Sequence, residues 1–111
     1  METYKAFDLV LVPFPFTDRA NAKRRPALVL SNGVFQTDSG HLICAMVTSA
    51  KRSSWGSDVD LTDWAQAGLP VASTVRMKLF TLDERIILRP LGQLTSRDAE
   101  RVAQSVKQAL L

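Results

Sequence analysis

The chain has 111 residues, 46% of them apolar and 23% charged, with a formal net charge of +3 and a single cysteine. That length suits one domain over residues 1–111, with chain enough for a real core and little for a second. No apolar run approaches the roughly 20 residues that cross a bilayer. The opening Met1-Glu2-Thr3-Tyr4-Lys5 lacks a signal-peptide layout, and a lone cysteine makes no internal disulfide, so a cytoplasmic protein without membrane partners is expected.

Phe7-Asp8-Leu9-Val10-Leu11-Val12-Pro13 reads as the first strand, β-branched and aromatic and closed by proline. It is too continuously apolar for a strand wet on one face, which predicts a place in the middle of a strongly bent sheet. Pro13 and Pro15 are expected to end pairing there. A polar loop from Thr17 through Lys23 and Arg24 leads to a second strand, Pro26 to Ser31, with Asn32-Gly33 as its turn. His41 to Thr48 makes the third strand, followed by a Ser/Lys/Arg/Gly loop from Ser49 to Ser57.

The alternation of Asp58-Val59-Asp60-Leu61 predicts a short edge strand. Thr62 to Gly68 can form one helical turn, and Ala72 to Leu82 and Arg85 to Leu91 read as two further strands joined at Asp83-Glu84. The one helix begins at Thr95 as N-cap, with Asp98 at the third position. Ala99, Val102, Ala103, Val106, Ala109 and Leu110 form its apolar face. Short strands with no helices between them exclude a parallel α/β fold and point to a mainly β protein, a small, strongly coiled antiparallel barrel with the helix packed on it.

Cations cluster at Arg19 to Arg25, at Lys51-Arg52 and at Arg76 and Lys78, while Asp58, Asp60 and Asp63 sit together elsewhere. Such segregation favours an anionic partner. There is no Gly-rich phosphate loop, no Cys/His cluster for zinc and no nucleophile elbow, so no cofactor or metal is implied. His41 is the only histidine, which excludes a two-histidine acid–base pair within one chain; it is expected to be a surface or packing residue, and Cys44 a buried small hydrophobe. Arg76 lies mid-strand, where a charge faces either a groove or an ion-pair partner. Lys51 and Arg52 serve either phosphate contact or solubility. Trp55 is either a stacking surface for an unpaired base or a lid on the core.

The run Phe7 to Phe14, the strand Arg25-Pro26-Ala27-Leu28-Val29-Leu30-Ser31, Val47-Thr48-Ser49 and Val75-Arg76-Met77-Lys78-Leu79-Phe80-Thr81-Leu82-Asp83 follow one another in an order that resembles the MazF/PemK family, the toxins of type II toxin–antitoxin pairs. The resemblance covers nearly the whole chain. It implies an SH3-like barrel with a C-terminal helix, a homodimer, metal-independent cleavage of single-stranded RNA at short motifs, and neutralisation by a cognate acidic antitoxin. By family position Arg25 and Thr48 are the catalytic residues carried over; by their own charge, hydroxyl or aromatic character Arg24, Ser49, Lys51, Arg52, Trp55, Arg76 and Lys78 are the RNA-binding candidates.

The residue chemistry agrees. Cleavage without metal has the ribose 2′-OH attack its own phosphorus. A site for it must take that proton, neutralise the phosphorane and protonate the departing 5′-oxygen. The planar, permanently charged fork of Arg25 suits the second task, and the Thr48 hydroxyl can bond the same phosphate. The chain departs from the family where a base would stand. Members with Glu or His in the loop between the first two strands are answered here by Asp18 and Asn21 at other offsets, and Met77-Lys78 follow Arg76 where some members have Asp. The base is left open, with Asp18 as the candidate, since arginine hardly deprotonates. Two other functions stay open on sequence: a non-enzymatic barrel toxin acting on a protein such as DNA gyrase, and an RNA-binding member without catalysis.

Overall fold

The computed structural model describes residues 2–14, 23–49 and 54–111. Six antiparallel strands, β1 (Asp8–Phe14), β2 (Lys23–Val29), β3 (His41–Thr48), β4 (Val59–Asp60), β5 (Thr74–Asp83) and β6 (Arg89–Gln93), form one sheet in the order β4-β5-β3-β2-β1-β6. The sheet curls into a half-barrel, and the C-terminal helix α2 (Ser96–Leu110) packs on it. The mainly β architecture expected from the sequence is the one observed.

The continuous apolar character of β1 follows from burial on both faces. Leu9 packs with Leu28, Ala45, Val47, Val75 and Val102 of α2 on one side. Val10 and Val12 pack with Ala27, Val29, Leu42, Cys44 and Leu82 on the other. Cys44 is fully buried, and burial pushes its thiol up to about 12.

Two prolines explain where pairing stops. The Leu11 carbonyl accepts from the Leu88 N–H, so Leu11 faces β6, and its β2 partner Pro26 faces β3. Pro26 offers no N–H to β3, and the β2–β3 register runs only over Ala27–Val29. Two residues beyond Leu11, Pro13 faces the same side as Leu11, past Arg89, where the β1–β6 register ends. Pro13 therefore loses no ladder bond and stays paired with Arg24. The expectation that Pro13 ends the strand is corrected on this point; Pro15 lies outside the described residues.

Other boundaries differ from the sequence reading. Lys23 and Arg24 are not loop residues but, with Arg25, the start of β2, opposite Phe14, Pro13 and Val12, and β2 ends at Val29 rather than Ser31. Asn32-Gly33 is not a simple turn: the Asn32 side chain accepts from the Phe35 N–H at 2.9 Å and starts helix α1 (Gly33–Ser39) between β2 and β3. That helix ends on Gly40 at φ 72°. Strand β5 starts at Thr74, and Glu84–Ile86 form a 3-10 turn ahead of β6, with the Asp83 carboxylate capping Arg85 N–H at 2.9 Å. The predicted strand at Arg85 is therefore delayed to Arg89.

Thr62 to Gly68 is a turn segment carrying one helical bond, Ala67 N–H to the Asp63 carbonyl. It lies hard against β6: a Cβ on Gly68 (φ 93°) would run into the Leu91 carbonyl, and one on Gly92 into that of Ala67. At the start of α2 the expected cap is replaced. Thr95 makes no side-chain cap bond and instead donates to Asp63 Oδ2 at 2.6 Å. The fully buried Asp98 accepts from the Thr62 and Asp63 N–H groups at 3.1 and 2.8 Å, tying the helix to that turn segment. Of the predicted apolar face Val102 is buried and Ala99 and Val106 half-buried, whereas Ala103, Ala109 and Leu110 are exposed. Two of the three buried positions of the helix, Asp98 and Ser105, are polar, and both bond backbone groups of the 57–63 segment.

Candidate active site

Between the start of β2 and the end of β3 the sheet opens. Val47 and Thr48 pair with β5, at Val75 and Thr74, while Lys23 to Pro26 pair with β1. The wedge between them is a cleft of about 200 Å³. Lys23, Arg24, Arg25 and Pro26 line it on one side, Thr48 and Ser49 on the other, and Pro70, Val71 and Ser73 close one end. Three cationic residues and three hydroxyl residues thus line one opening, and the described residues that line it include no carboxylate and no imidazole.

Directly opposed residues share a face of a sheet, as do residues two apart. By the registers Val12↔Arg25, Val10↔Ala27, Ala27↔Met46 and Met46↔Arg76, with Thr48↔Thr74, one face carries Arg25, Thr48 and Arg76 together. Opposite the Ala45–Met46 step β5 carries two extra residues, Met77 and the exposed Lys78, so Lys78 projects from a bulge.

Arg25 is exposed, and its guanidinium sits over the Phe14 ring, 5.3 Å from the centroid. Stacking on an aromatic face restrains the guanidinium while leaving its N–H edge for hydrogen bonds. Among the described residues no ion pair occupies Arg25. Arg76 differs. Its Nε and Nη2 donate to Asp58 Oδ1 and Oδ2 at 3.1 and 2.9 Å, and its guanidinium lies 5.1 Å from the centroid of the Trp55 ring. Of the two readings the sequence allowed for Arg76, the ion pair is present, and this pairing holds the Asp58 carboxyl below its ordinary range.

The acids do not form the separate patch that the sequence suggested. Asp58 is taken by Arg76, Asp60 accepts from the Thr74 hydroxyl at 2.6 Å, and Asp63 from Arg97 at 2.6 and 2.7 Å. The Arg97 hydrogen bonds, with that of Thr95, pull Asp63 down to about 2. His41 starts β3, seven residues from Thr48, roughly 23 Å along the strand. Its Nδ1 lies 2.9 Å from the Ser39 carbonyl, so it belongs to the local turn and not to the cleft. Asp18, Lys51 and Arg52 fall outside the described residues. Among those described, no group of three or more His, Cys, Asp or Glu is placed to hold a metal ion, and no helix is long and apolar enough to cross a membrane.

Sequence reasoning missed Phe14 beneath Arg25 and the wall built by Pro70, Val71 and Ser73. The first was legible in principle: in an antiparallel pair, residues that share a face across the Phe14–Lys23 register meet. The second depends on a long-range fold-back that no local signal reports.

A family model described as PemK-like, MazF-like toxin of type II toxin–antitoxin system matches residues 5–110. Among solved structures, MazF from Deinococcus radiodurans is 26% identical, aligned over 99% of this chain and 98% of its own with a TM-score of 0.75. A MazE–MazF structure from the same organism is 27% identical over 98% and 97% of the two chains, with a TM-score of 0.76. An endoribonuclease from a mycobacterial species shares the fold at 15% identity, over 99% and 93% of the chains, with a TM-score of 0.75. No match was found among curated proteins.

Proposed function

The chain belongs to the PemK-like, MazF-like toxins of type II toxin–antitoxin systems, and on that premise we propose that it is a cytoplasmic endoribonuclease that cuts single-stranded RNA at short motifs through 2′-OH attack. The observation that carries this reading is the cleft in which Arg25, stacked on Phe14, faces Thr48 across the gap between β2 and β3. A phosphodiester seated there meets a fixed bidentate donor and a hydroxyl.

The 2′-oxygen attacks phosphorus and loses its proton to a base. The phosphorane's extra negative charge falls on oxygens that Arg25 and Thr48 hydrogen-bond, and the P–O5′ bond breaks as the 5′-oxygen gains a proton. The products are a 2′,3′-cyclic phosphate and a 5′-hydroxyl, with one proton lost and one gained. With the ribose as nucleophile and an arginine carrying the charge, the chemistry has no step that calls for a metal. A donor of this kind contributes about 3–4 kcal/mol to the transition state in other enzymes. Asp18, between β1 and β2 in the sequence, is the candidate for that base. Lys23, Arg24, Lys51, Arg52 and Ser49 attract and seat the rest of the RNA backbone.

The same charge gives the protein its inhibitor. The related MazE–MazF structure pairs such a toxin with MazE. An acidic antitoxin segment laid in the cationic cleft of a homodimer competes with RNA through the electrostatics that attract RNA. The test is incubation with a long RNA in EDTA, mapping of the new ends and assay for cyclic phosphate. Cuts at a short motif ending in cyclic phosphate are expected. Intact RNA together with inhibited gyrase supercoiling would replace this reading with the protein-directed one.

A further inference from the structure

The Trp55–Arg76–Asp58 group is built more tightly than the cleavage chemistry requires. Asp58 holds the Arg76 fork with both carboxylate oxygens, accepts the Trp55 backbone N–H at 3.0 Å through Oδ2, and returns its own backbone N–H to the Trp55 carbonyl at 3.0 Å. The neighbouring Ser57 carbonyl accepts the Ser105 hydroxyl of α2 at 2.6 Å, so the turn is fastened to the helix as well. The Trp55 ring thus lies against a guanidinium whose fork Asp58 holds, and the Trp55 backbone is tied to the same aspartate. Yet Trp55 remains 44% exposed, while the other tryptophan, Trp64, packs against the core. Arg76 shares the face of Arg25 and Thr48. It lies on β5, two strands from β2 in the sheet order and two residues along β5 from Thr74, the partner of Thr48.

We propose that Trp55 is a stacking platform for the unpaired nucleobase next to the scissile phosphate, held in place by Arg76 and Asp58. The proposal rests on the RNA reading above and adds to it a residue that senses bases. An unpaired base finds its partner in an exposed aromatic ring because every base has a π face. A ring already fixed loses little rotamer freedom when the base arrives. In this scheme Arg76 is a positioning residue: its charge is matched by Asp58 and its planar face supports the ring.

The test separates base from backbone. Labelled single-stranded oligonucleotides with 2′-O-methyl riboses, which cannot be cut, are titrated by anisotropy against wild type, Trp55→Phe, Trp55→Ala and Arg76→Lys. The same chains without bases are titrated in parallel. Trp55→Ala is expected to weaken binding of base-bearing chains roughly 5- to 150-fold, the range for one stacked base, with abasic chains bound as by wild type. Trp55→Phe should restore most of the loss, and Arg76→Lys, which keeps the charge but breaks the fork, should follow Trp55→Ala. Equal losses on both kinds of chain, or no loss on either, would overturn the proposal. So would unchanged RNA binding with weakened binding of an acidic antitoxin peptide. Wild type that shows the expected pattern but cuts no RNA would overturn the nuclease reading alone. Wild type that cuts RNA while Trp55→Ala binds base-bearing chains normally would overturn the platform alone.

Discussion

Removing the carboxylate of Asp98 should cost more stability than any surface charge in this chain, and the reason is local. Asp98 is fully buried near the start of α2, and it accepts the Thr62 and Asp63 N–H groups, with Arg101 Nη1 at 3.2 Å. Asp98→Ala leaves two backbone donors facing an empty, largely dry site, at about 1–3 kcal/mol each. It also removes a negative charge from the first turn of a helix, worth about 0.3–1 kcal/mol. The exposed Arg101 side of the interaction adds little. Allowing for water reaching the half-open end, the loss is about 3 kcal/mol, or a Tm lower by roughly 10–15 °C for a domain of this size. Asp98→Asn keeps the shape and one acceptor but turns an NH2 toward the second N–H, so it should lose about half as much. Urea unfolding followed by tryptophan emission suits the measurement, because Trp64 adjoins the segment that Asp98 holds. An Asp98→Ala protein within 1 kcal/mol of wild type, at unchanged m-value, would refute the reasoning. The same segment continues into Pro70, Val71 and Ser73, so a loosened Asp98 variant should also distort one end of the cleft.

Other outcomes follow from the same geometry. Gly92→Ala drives a Cβ into the Ala67 carbonyl and should cost at least about 1–3 kcal/mol; Gly56→Ala, with nothing within 4 Å, should be neutral or stabilise by about 0.4–1 kcal/mol, and parallel thermal melts decide both. Asp63 sits at about 2 when folded, because of Arg97 and then Thr95, against an ordinary value of about 3.9 when unfolded. Its contribution is therefore complete above about pH 4 and lost as pH falls toward 2. Arg97→Gln should flatten that part of an acid titration, and an unchanged curve would show that the pair is thermodynamically silent. Lys23→Gln and Arg24→Gln should each lower the slope of log affinity for single-stranded RNA against log salt by about 0.7 while leaving the cleavage motif alone; a changed motif would mean that these cations read bases.

The parts of the fold that sequence made legible were those written in local pattern. The apolar runs of β1 and β3, the alternation at β4 and the periodicity of α2 each carry their own period. What escaped was decided by pairing. Lys23 and Arg24 look like loop because consecutive cations suit solvent, but β1 offers them a ladder opposite Phe14 and Pro13. Helix α1 is seven residues with no apolar periodicity, marked in sequence only by Asn32 and Gly40 at its two ends. Thr95 and Asp98 have the spacing of a cap, yet their oxygens reach residues more than thirty positions away. The site followed the same division. Arg25 and Thr48 stood out by type and position, whereas the capture of Arg76 by Asp58 needed the β3–β5 register to be known.

The most direct test of the central claim is the single-turnover rate of cleavage in EDTA for wild type, Arg25→Lys and Arg25→Ala on one mapped RNA site. Arg25→Ala should be slower by about 10²–10³-fold, with its melting temperature close to wild type and its binding of uncleavable RNA weakened far less than its rate, and Arg25→Lys should recover only part of the rate because a point charge cannot replace the fork. An Arg25→Ala protein that cleaves at the wild-type rate, or wild type that yields no cyclic phosphate, would contradict the account.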